Sequence, residues 1–342
     1  MQRRIAFATA VGMVLVLAGV ATAGSIAPGD LIVVVRGNGT LDDVNPTTGA
    51  STMIASGFMN PQGVVINSQG MIFVSDIGTH TIDEVNPTNG MVTTYSGGVV
   101  GTGTALDRPF EMAFSASGTL YVADGQLNSD STNVIAIASN GNRTVVAGNN
   151  GSSTNVFAQS LAGLTINPAS GNLYVSTATG HTIYQVTLGG TVTTVYTNSS
   201  AEPQGLALNA GQVLYANGGT ANPAVYSVNP TTGVATLVSK NNFTVGSSDL
   251  FGLAVGGNGT IYATSIAPPD IVIYAIDPTT GNATVLAGEG TGGTTFGGDL
   301  AYGIAVYPAI SSIPEPSSVV LLALGIIGLI LSGRRWVPKL SA

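Results

Sequence analysis

The sequence predicts an all-β fold, a six-bladed β-propeller of four-stranded antiparallel blades, on three observations. An apolar strand phrase recurs six times at intervals of 42 to 52 residues, a period typical of propeller blades or solenoid arrays. A hairpin-turn phrase with Pro and Gly at fixed positions recurs four times. Charged residues form only 8% of the chain whereas Gly accounts for 47 of 342 residues, which favours short strands and tight turns over amphipathic helices.

The first 23 residues have the layout of a secretory signal peptide. Arg3 and Arg4 give a basic start, residues 11–20 form an apolar run, and a triplet of small residues ends at Ala23. The apolar run is too short for an ordinary transmembrane span. We predict a signal helix within residues 1–23 and cleavage after Ala23, with an uncleaved anchor as the alternative.

The recurring apolar phrase marks the predicted inner strand of each blade. Five copies begin with glycine and one with glutamate, and these first residues are Gly63, Glu111, Gly163, Gly205, Gly252 and Gly303. A second strand follows five of the copies after a short turn, and an aromatic residue stands second in each, as in Leu120–Asp124. We expect these rings to pack between blades rather than to bind a ligand.

The turn phrase joins the last two strands of a blade. Its first copy, Val44–Gly49, reads Val-Asn-Pro-Thr-Thr-Gly, and related copies occupy residues 85–90, 228–233 and 276–281. Asn or Asp starts the turn, Pro fixes φ at the next position, and Gly supplies the left-handed residue that returns the chain to an antiparallel strand. The phrase therefore predicts four strands in each blade, the last two forming a hairpin.

The two ends of the repeat region are complementary. The first blade, from Leu31 to Ser56, lacks an inner strand, whereas Tyr302–Tyr307 has the pattern of an inner strand with no blade after it. We predict that this C-terminal strand completes the first blade and closes the ring, which leaves no long open sheet edge. The propeller is expected to span residues 24–310 as one domain and to be a monomer.

Two blades share a further pattern in the loop after the second strand. His80 follows the strand that ends at Asp76, and His181 follows the strand that ends at Thr177. The order of strand, Asp, His and Ile resembles NHL-repeat propellers, and the resemblance covers roughly residues 30–307. The repeat indicates that each histidine is a turn residue of its own blade, and a metal pair or an acid–base pair is the alternative.

The C-terminal segment combines three features in a fixed order. Pro314, Glu315 and Pro316 precede an apolar run over residues 319–331, and Arg334 and Arg335 follow that run. The apolar run has marginal length for crossing a bilayer, and paired arginines favour the cytoplasmic side. The two prolines keep the preceding backbone extended and accessible.

This arrangement resembles the PEP-CTERM sorting signal of Gram-negative bacteria. The resemblance implies a sorting tail over residues 311–342, with a membrane helix at about 317–333 that anchors the protein transiently. It implies an exosortase as the processing partner and cleavage near the motif. It also implies a final location at the cell envelope, on the outer surface or in an extracellular matrix that contains exopolysaccharide.

Charge and cysteine content limit the partners and the reactive groups expected of the propeller. Residues 24–310 contain 16 acidic side chains but only four basic ones, Arg36, Arg108, Arg143 and Lys240. This balance argues against nucleic acid as a partner, because phosphate binding requires clustered Lys and Arg. The chain contains no cysteine, so it offers no disulfide, thiolate nucleophile or thiolate metal ligand.

Acidic residues recur in the loops before the inner strands and suggest a cation site. Four of them stand three or four residues before an inner strand, and Glu111 replaces the glycine of the other five blades; the four are Asp107, Glu202, Asp249 and Asp299. Ca²⁺ prefers several carboxylate and carbonyl oxygens, so we predict a calcium site at one mouth of the central channel. Solvated or turn-capping carboxylates are the alternative.

Glu111 also lies where six-bladed propellers of the gluconolactonase family have a metal-binding Glu. That resemblance implies a metal-dependent hydrolase, a lactonase or a lyase as one function. The leading prediction is instead a non-catalytic surface or matrix protein that binds a polysaccharide or a protein. For this function the sequence identifies no cofactor apart from the calcium considered above. The sequence contains no phosphate loop, zinc-protease helix or nucleophile-elbow motif.

Overall fold

The computed structural model describes residues 26–125, 132–148, 156–157, 159–209, 212–217, 223–240, 243, 249–266, 272–288 and 301–309. These residues form strands, turns and loops, without a helix among them, and accordingly contain no helical segment that could cross a membrane. The predicted signal helix within residues 1–23 and the predicted membrane helix at about 317–333 lie outside the described residues.

The described strands form six four-stranded antiparallel sheets, as predicted. In chain order the strands are β1 (Leu31–Val35), β2 (Thr40–Val44), β3 (Ser51–Ser56), β4 (Pro61–Ile66), β5 (Ile72–Asp76), β6 (Thr81–Val85), β7 (Val92–Gly97), β8 (Pro109–Phe114), β9 (Leu120–Asp124), β10 (Asn133–Ile137), β11 (Arg143–Gly148), β12 (Leu164–Ile166), β13 (Leu173–Thr177), β14 (Thr182–Val186), β15 (Val192–Thr197), β16 (Pro203–Asn209), β17 (Gln212–Asn217), β18 (Ala224–Val228), β19 (Ala235–Leu237), β20 (Leu250–Val255), β21 (Ile261–Ser265), β22 (Val272–Ile276), β23 (Ala283–Gly288) and β24 (Ala301–Val306).

Blade 1 is assembled from both ends of the propeller. Its strand order is β24-β1-β2-β3, whereas blades 2 to 6 take four consecutive strands each, starting at β4, β8, β12, β16 and β20. β24 pairs with β1 in the register Leu31↔Val306, and Tyr307 N–H donates to the carbonyl oxygen of Asp30 at 2.7 Å. The predicted closure by the C-terminal strand is therefore confirmed.

The hairpin turns have the predicted geometry. In the first, the N–H of Gly49 donates to the carbonyl oxygen of Asn45 at 2.9 Å, and the Asn45 side chain accepts the N–H of Thr47 at 3.0 Å. Gly49 has φ 70°, and the glycines of the three related turns have φ between 67° and 71°. These left-handed values explain why glycine ends each copy of the phrase.

The hydrophobic core lies between neighbouring blades. The second strands are its most buried parts; every residue of β5, for example, is buried. Phe73 on β5 packs edge to face against Phe114 of the next blade, with ring centroids 4.9 Å apart. Tyr215 likewise contacts Tyr196 of the preceding blade at 5.5 Å. The aromatic residues of the second strands thus join blades, as predicted.

The inner strands approach one another so closely that glycine is required between them. A Cβ atom on Gly63 would lie 2.5 Å from the carbonyl oxygen of Phe110 in blade 3. A Cβ on Gly205 or Gly252 would lie 2.3 Å from a carbonyl oxygen of the following blade. Because these neighbours are backbone atoms, the recurring glycine is a consequence of the ring geometry.

Three hydroxyl groups connect adjacent inner strands. Ser176 Oγ accepts the N–H of Gly163 at 2.7 Å and donates to the carbonyl oxygen of Gln204 in the next blade at 2.6 Å. Ser75 and Thr264 make the same pair of bonds in blades 2 and 6. Each hydroxyl satisfies two backbone groups near the axis of the ring.

Replacing one of these hydroxyls should measurably weaken the ring. We expect Ser176→Ala to lower the free energy of unfolding by about 1–3 kcal/mol, because a buried donor and a carbonyl oxygen lose their partner. Urea unfolding measures this change. Ser139→Ala, at an exposed position, is the matched control and should change stability by less than about 0.5 kcal/mol. Equal effects of the two changes would contradict the inter-blade role.

Candidate functional site

The six inner strands meet around a depression of about 240 Å³ on the axis of the ring. Each blade contributes the residue that precedes its inner-strand Gly or Glu, and these six are Gln62, Phe110, Ala162, Gln204, Phe251 and Tyr302. Because all six blades contribute the same position, the depression is one mouth of the central channel. We call it the channel mouth; Arg36, Arg108, Ser160 and Thr179 also line it.

Aromatic rings support both arginines of the channel mouth. The Arg36 guanidinium lies 4.8 Å from the centroid of Tyr302, and its Nη1 donates to the Tyr302 hydroxyl at 2.7 Å. Its Nε donates to Asn60 Oδ1. Arg108 lies 5.4 Å from the centroid of Phe110. Among the described residues neither arginine forms a salt bridge.

The predicted calcium ligands do not line the channel mouth. Asp107, Glu202 and Asp249 are partly exposed and interact with other groups, and Asp299 lies outside the described residues. Within the part of the chain that the structure describes, no three acidic or histidine side chains are close enough together to hold a metal ion. The calcium site stays a prediction.

Glu111 occupies a distinctive place on β8. In the other blades, a Cβ at the equivalent glycine would point at the inner strand of the next blade. In blade 3 the next inner strand is β12, which begins only at Leu164, one residue after Gly163. Desolvation raises the pKa of Glu111 to about 8, although the N–H of Met112 donates to the carboxylate and opposes the shift. The carboxyl group is therefore mostly protonated at neutral pH.

The raised pKa of Glu111 predicts a loss of stability with rising pH. The unfolded chain releases this proton near the ordinary pKa of 4.5 and the folded protein only near 8, so stability falls as pH rises through that window. Glu111→Gln should flatten this part of the stability curve and be more stable than the parent at about pH 9. Thermal melting between about pH 5 and 9 tests this; Glu84→Gln is the control, and an unchanged curve for Glu111→Gln would contradict the assignment.

Two aspartates at the ends of second strands hold the loops before the inner strands. Asp76 accepts the N–H groups of Met59 and Asn60 at 2.7 and 2.9 Å. Asp124 accepts the N–H of Asp107 at 3.1 Å, and burial raises the pKa of Asp124 to about 7. These buried carboxylates have a structural role in placing the loops around the channel mouth.

The two histidines are turn residues that also connect blades. His80 and His181 have φ of 57° and 53°, the left-handed region that non-glycine residues seldom adopt. His80 Nδ1 bonds to the carbonyl oxygen of Asp107, and His181 Nδ1 bonds to that of Ala201 at 2.5 Å, in each case in the loop leading to the next blade. The turn interpretation is confirmed, and the link between blades is a finding of the structure.

Comparison with known proteins gives different results for the C-terminal tail and for the propeller. Residues 312–335 match the PEP-CTERM protein-sorting motif. The chain carries a PEP-CTERM sorting signal. This segment contains Pro314, Glu315, Pro316, Arg334 and Arg335, as the sequence indicated, and lies outside the described residues. No curated protein matches the chain at a significant level.

Solved structures resemble the propeller at low sequence identity. The "Crystal structure of Nidogen/Laminin Complex" contains a chain with TM-score 0.63 and 15% identity, covering 81% of this chain and 98% of that one. A protein of unknown function from Bacteroides caccae gives TM-score 0.61 and 15% identity over 82% and 98%. Virginiamycin B lyase from Staphylococcus aureus gives 0.51 and 17% over 68% and 71%. These similarities show the propeller fold alone.

Proposed function

We propose that this chain is a non-catalytic surface or matrix protein whose propeller binds a polysaccharide or protein partner at the channel mouth. The PEP-CTERM signal implies export to the cell envelope or surface and processing by an exosortase. The propeller is the folded domain delivered there, acting as a monomer. The observation that supports this proposal is the pair of arginines, Arg36 and Arg108, held over aromatic rings on the axis.

The chemistry of the channel mouth favours recognition over catalysis. A guanidinium stays protonated throughout the physiological range, so Arg36 and Arg108 can bind anions and cannot act as general bases. The other polar groups of the lining are neutral amides and hydroxyls, such as Gln204, Ser160 and Thr179. Fixed cations, amides and ring faces suit orientation of a ligand.

The experiment compares binding with turnover. The protein purified from producing cells is mixed with the polysaccharide and protein fractions of the same cell surface, and co-sedimentation and polymer length are both measured. We expect retention of one fraction without a change in its length, and weaker retention by an Arg36→Gln, Arg108→Gln double variant. Shortening of the polymer, or equal retention by the double variant, would contradict the proposal.

A metal-dependent hydrolase, lactonase or lyase is the second candidate, and the position of Glu111 on β8 favours it. This function requires a divalent cation to displace the proton that the raised pKa retains on Glu111. Hydrolysis of a panel of lactones should then depend on added Ca²⁺ or another divalent metal and disappear in Glu111→Gln. Activity that survives both a chelator and this substitution would exclude the metal mechanism.

A further inference from the structure

We infer that the channel mouth binds a carboxylate-bearing sugar, a uronic acid at the end of an acidic glycan. This inference rests on the proposed function and specifies the chemical class of its ligand. It is argued from the distribution of charge, from the hydrogen-bonding groups that remain unused, and from the neutral groups around them.

The distribution of basic residues concentrates positive charge at the channel mouth. Arg143 is buried and its guanidinium donates to Thr104 O at 2.7 Å, to Val100 O at 2.8 Å and to Ser96 Oγ at 2.9 Å. Lys240 lies away from the mouth and its Nζ donates to Asn282 at 3.2 Å. The remaining two of the propeller's four basic side chains, Arg36 and Arg108, both line the channel mouth. The mouth thus attracts anions although the domain as a whole is acidic.

The hydrogen bonds of Arg36 leave its Nη2 donors unused among the described residues. A guanidinium has five N–H donors. Arg36 donates to Asn60 and Tyr302, and the amide oxygen of Gln62, in the orientation that satisfies both ends of that amide, accepts from Arg36 Nε and Nη1 at 3.0 and 3.3 Å. Among the described residues this leaves the two N–H donors of Nη2 for a ligand. The hydrogen bond and the ring contact with Tyr302 fix the orientation of the guanidinium before a ligand arrives. A carboxylate can accept charge-assisted hydrogen bonds from the Nη2 donors, which gives directional as well as electrostatic recognition.

The neutral lining distinguishes a sugar acid from a simple anion. The Gln204 amide can exchange hydrogen bonds with sugar hydroxyls, and the rings of Phe110 and Phe251 offer apolar surface to the C–H groups of a sugar. The hydroxyls of Ser160 and Thr179 donate to Gly125 O at 2.9 Å and to Gln159 Oε1 at 3.4 Å, and their oxygens can still accept from a sugar hydroxyl. Phosphate has no C–H surface for these rings to contact. The depression of about 240 Å³ is smaller than the roughly 300–1,000 Å³ of pockets for drug-sized ligands, so it suits one terminal sugar unit.

Calorimetry with small sugars tests this inference on the purified full chain. Galacturonic acid is the ligand, galactose is the neutral control of the same shape, and inorganic phosphate and N-acetylglycine represent the two other anion classes. We expect galacturonic acid to bind at least about tenfold more tightly than the other three, since the charged hydrogen bonds and the sugar contacts act together. Equal binding of galactose would show that the arginines play no part, and equal binding of phosphate or N-acetylglycine would reduce the mouth to a general anion site.

Variants locate the binding. Arg36→Gln and Arg108→Gln should each weaken galacturonic acid binding by about tenfold, whereas Lys240→Gln, which removes the same charge elsewhere, should not. Arg36→Lys keeps the charge but loses the planar fork, so an intermediate loss is expected. Melting curves confirm that the variants fold. An unchanged affinity in folded Arg36→Gln and Arg108→Gln would overturn the inference.

The same data separate failure of this inference from failure of the proposed function. If native polysaccharide or protein binds the parent chain but galacturonic acid does not displace it, the uronic acid assignment is overturned and the binding function is left intact. Absence of binding to any surface fraction would contradict both.

Discussion

Deleting residues 301–307 should cause the largest loss of stability of any change considered for this protein, with aggregation or a much lower melting temperature. The deletion removes β24, and with it the inner strand of blade 1 and the partner of Leu31–Val35. Tyr302, Ile304 and Tyr307 are buried, and burial of three large side chains contributes roughly 5–9 kcal/mol. That amount is comparable with the whole stability of a typical domain, about 5–15 kcal/mol.

The matched control for this deletion removes residues 317–342 and retains β24. Because these residues follow the closing strand, we expect the control protein to melt like the propeller of the parent chain. Differential scanning calorimetry and light scattering measure both variants. A melting temperature of the 301–307 deletion equal to that of the control would show that blade 1 does not depend on the C-terminal strand.

Gly252→Ala should be a strongly destabilising methyl addition near the axis. The new Cβ would lie 2.3 Å from the carbonyl oxygen of Tyr302 and 3.0 Å from Thr264 Oγ1, so two inner strands must move apart and the Thr264 link between blades is strained. Overpacking of this kind costs about 1–3 kcal/mol, and contact with backbone places the expected loss at the upper end. Urea unfolding provides the measurement.

Gly257→Ala is the control for this substitution. No heavy atom outside the chain neighbours lies within 4 Å of the position of its Cβ, and its φ is not positive. We expect a neutral or slightly stabilising effect, because alanine restricts the unfolded chain. If Gly252→Ala were as stable as Gly257→Ala, the close approach of the inner strands would not explain the recurring glycine. Among the described inner strands, only that of blade 3 has a residue other than glycine at this position, namely Glu111. The neighbouring inner strand, β12, begins later relative to its glycine than the other inner strands do.

The architecture could be predicted because the blades repeat the same short sequence patterns. The turn phrase specifies its own backbone through Pro and a left-handed Gly, and the unmatched inner strand at Tyr302–Tyr307 identified how the ring closes. Both signals are local in the sequence and are repeated, so a single degenerate blade does not hide them. The structure confirmed the number of blades, the strands in each and the closing pair between β24 and β1.

The channel mouth could not be predicted in the same way. Arg36 follows β1 and Tyr302 lies on β24, so their hydrogen bond joins residues 266 positions apart and exists only in the closed ring. Neither arginine belongs to a repeated phrase. The acidic residues before the inner strands did form a repeated pattern, and that pattern predicted a calcium site instead. Asp107 shows why that pattern is ambiguous, because its backbone N–H and carbonyl bond to Asp124 and His80 in holding the loop.

The links between blades were partly visible in the sequence. Ser75, Ser176 and Thr264 stand at equivalent positions of their second strands, which is a detectable signal once the axis is known. Their role requires the carbonyl oxygen of the next blade, whose position depends on the ring as a whole. The histidine turns follow the same rule, since the partner of His181 is Ala201 in the following loop.

Intact mass spectrometry of the mature protein tests the central claim, an exported propeller with a processed tail, most directly. The predicted signal peptide and the PEP-CTERM segment at residues 312–335 together predict loss of residues 1–23 and of the chain beyond about Pro316. A control with Pro314 and Pro316 changed to Ala should retain its tail. We expect the parent protein at the cell surface to begin at Gly24 and to lack Trp336. A mature surface form that still contains Trp336 would contradict exosortase processing, and one that still begins at Met1 would contradict signal-peptide cleavage.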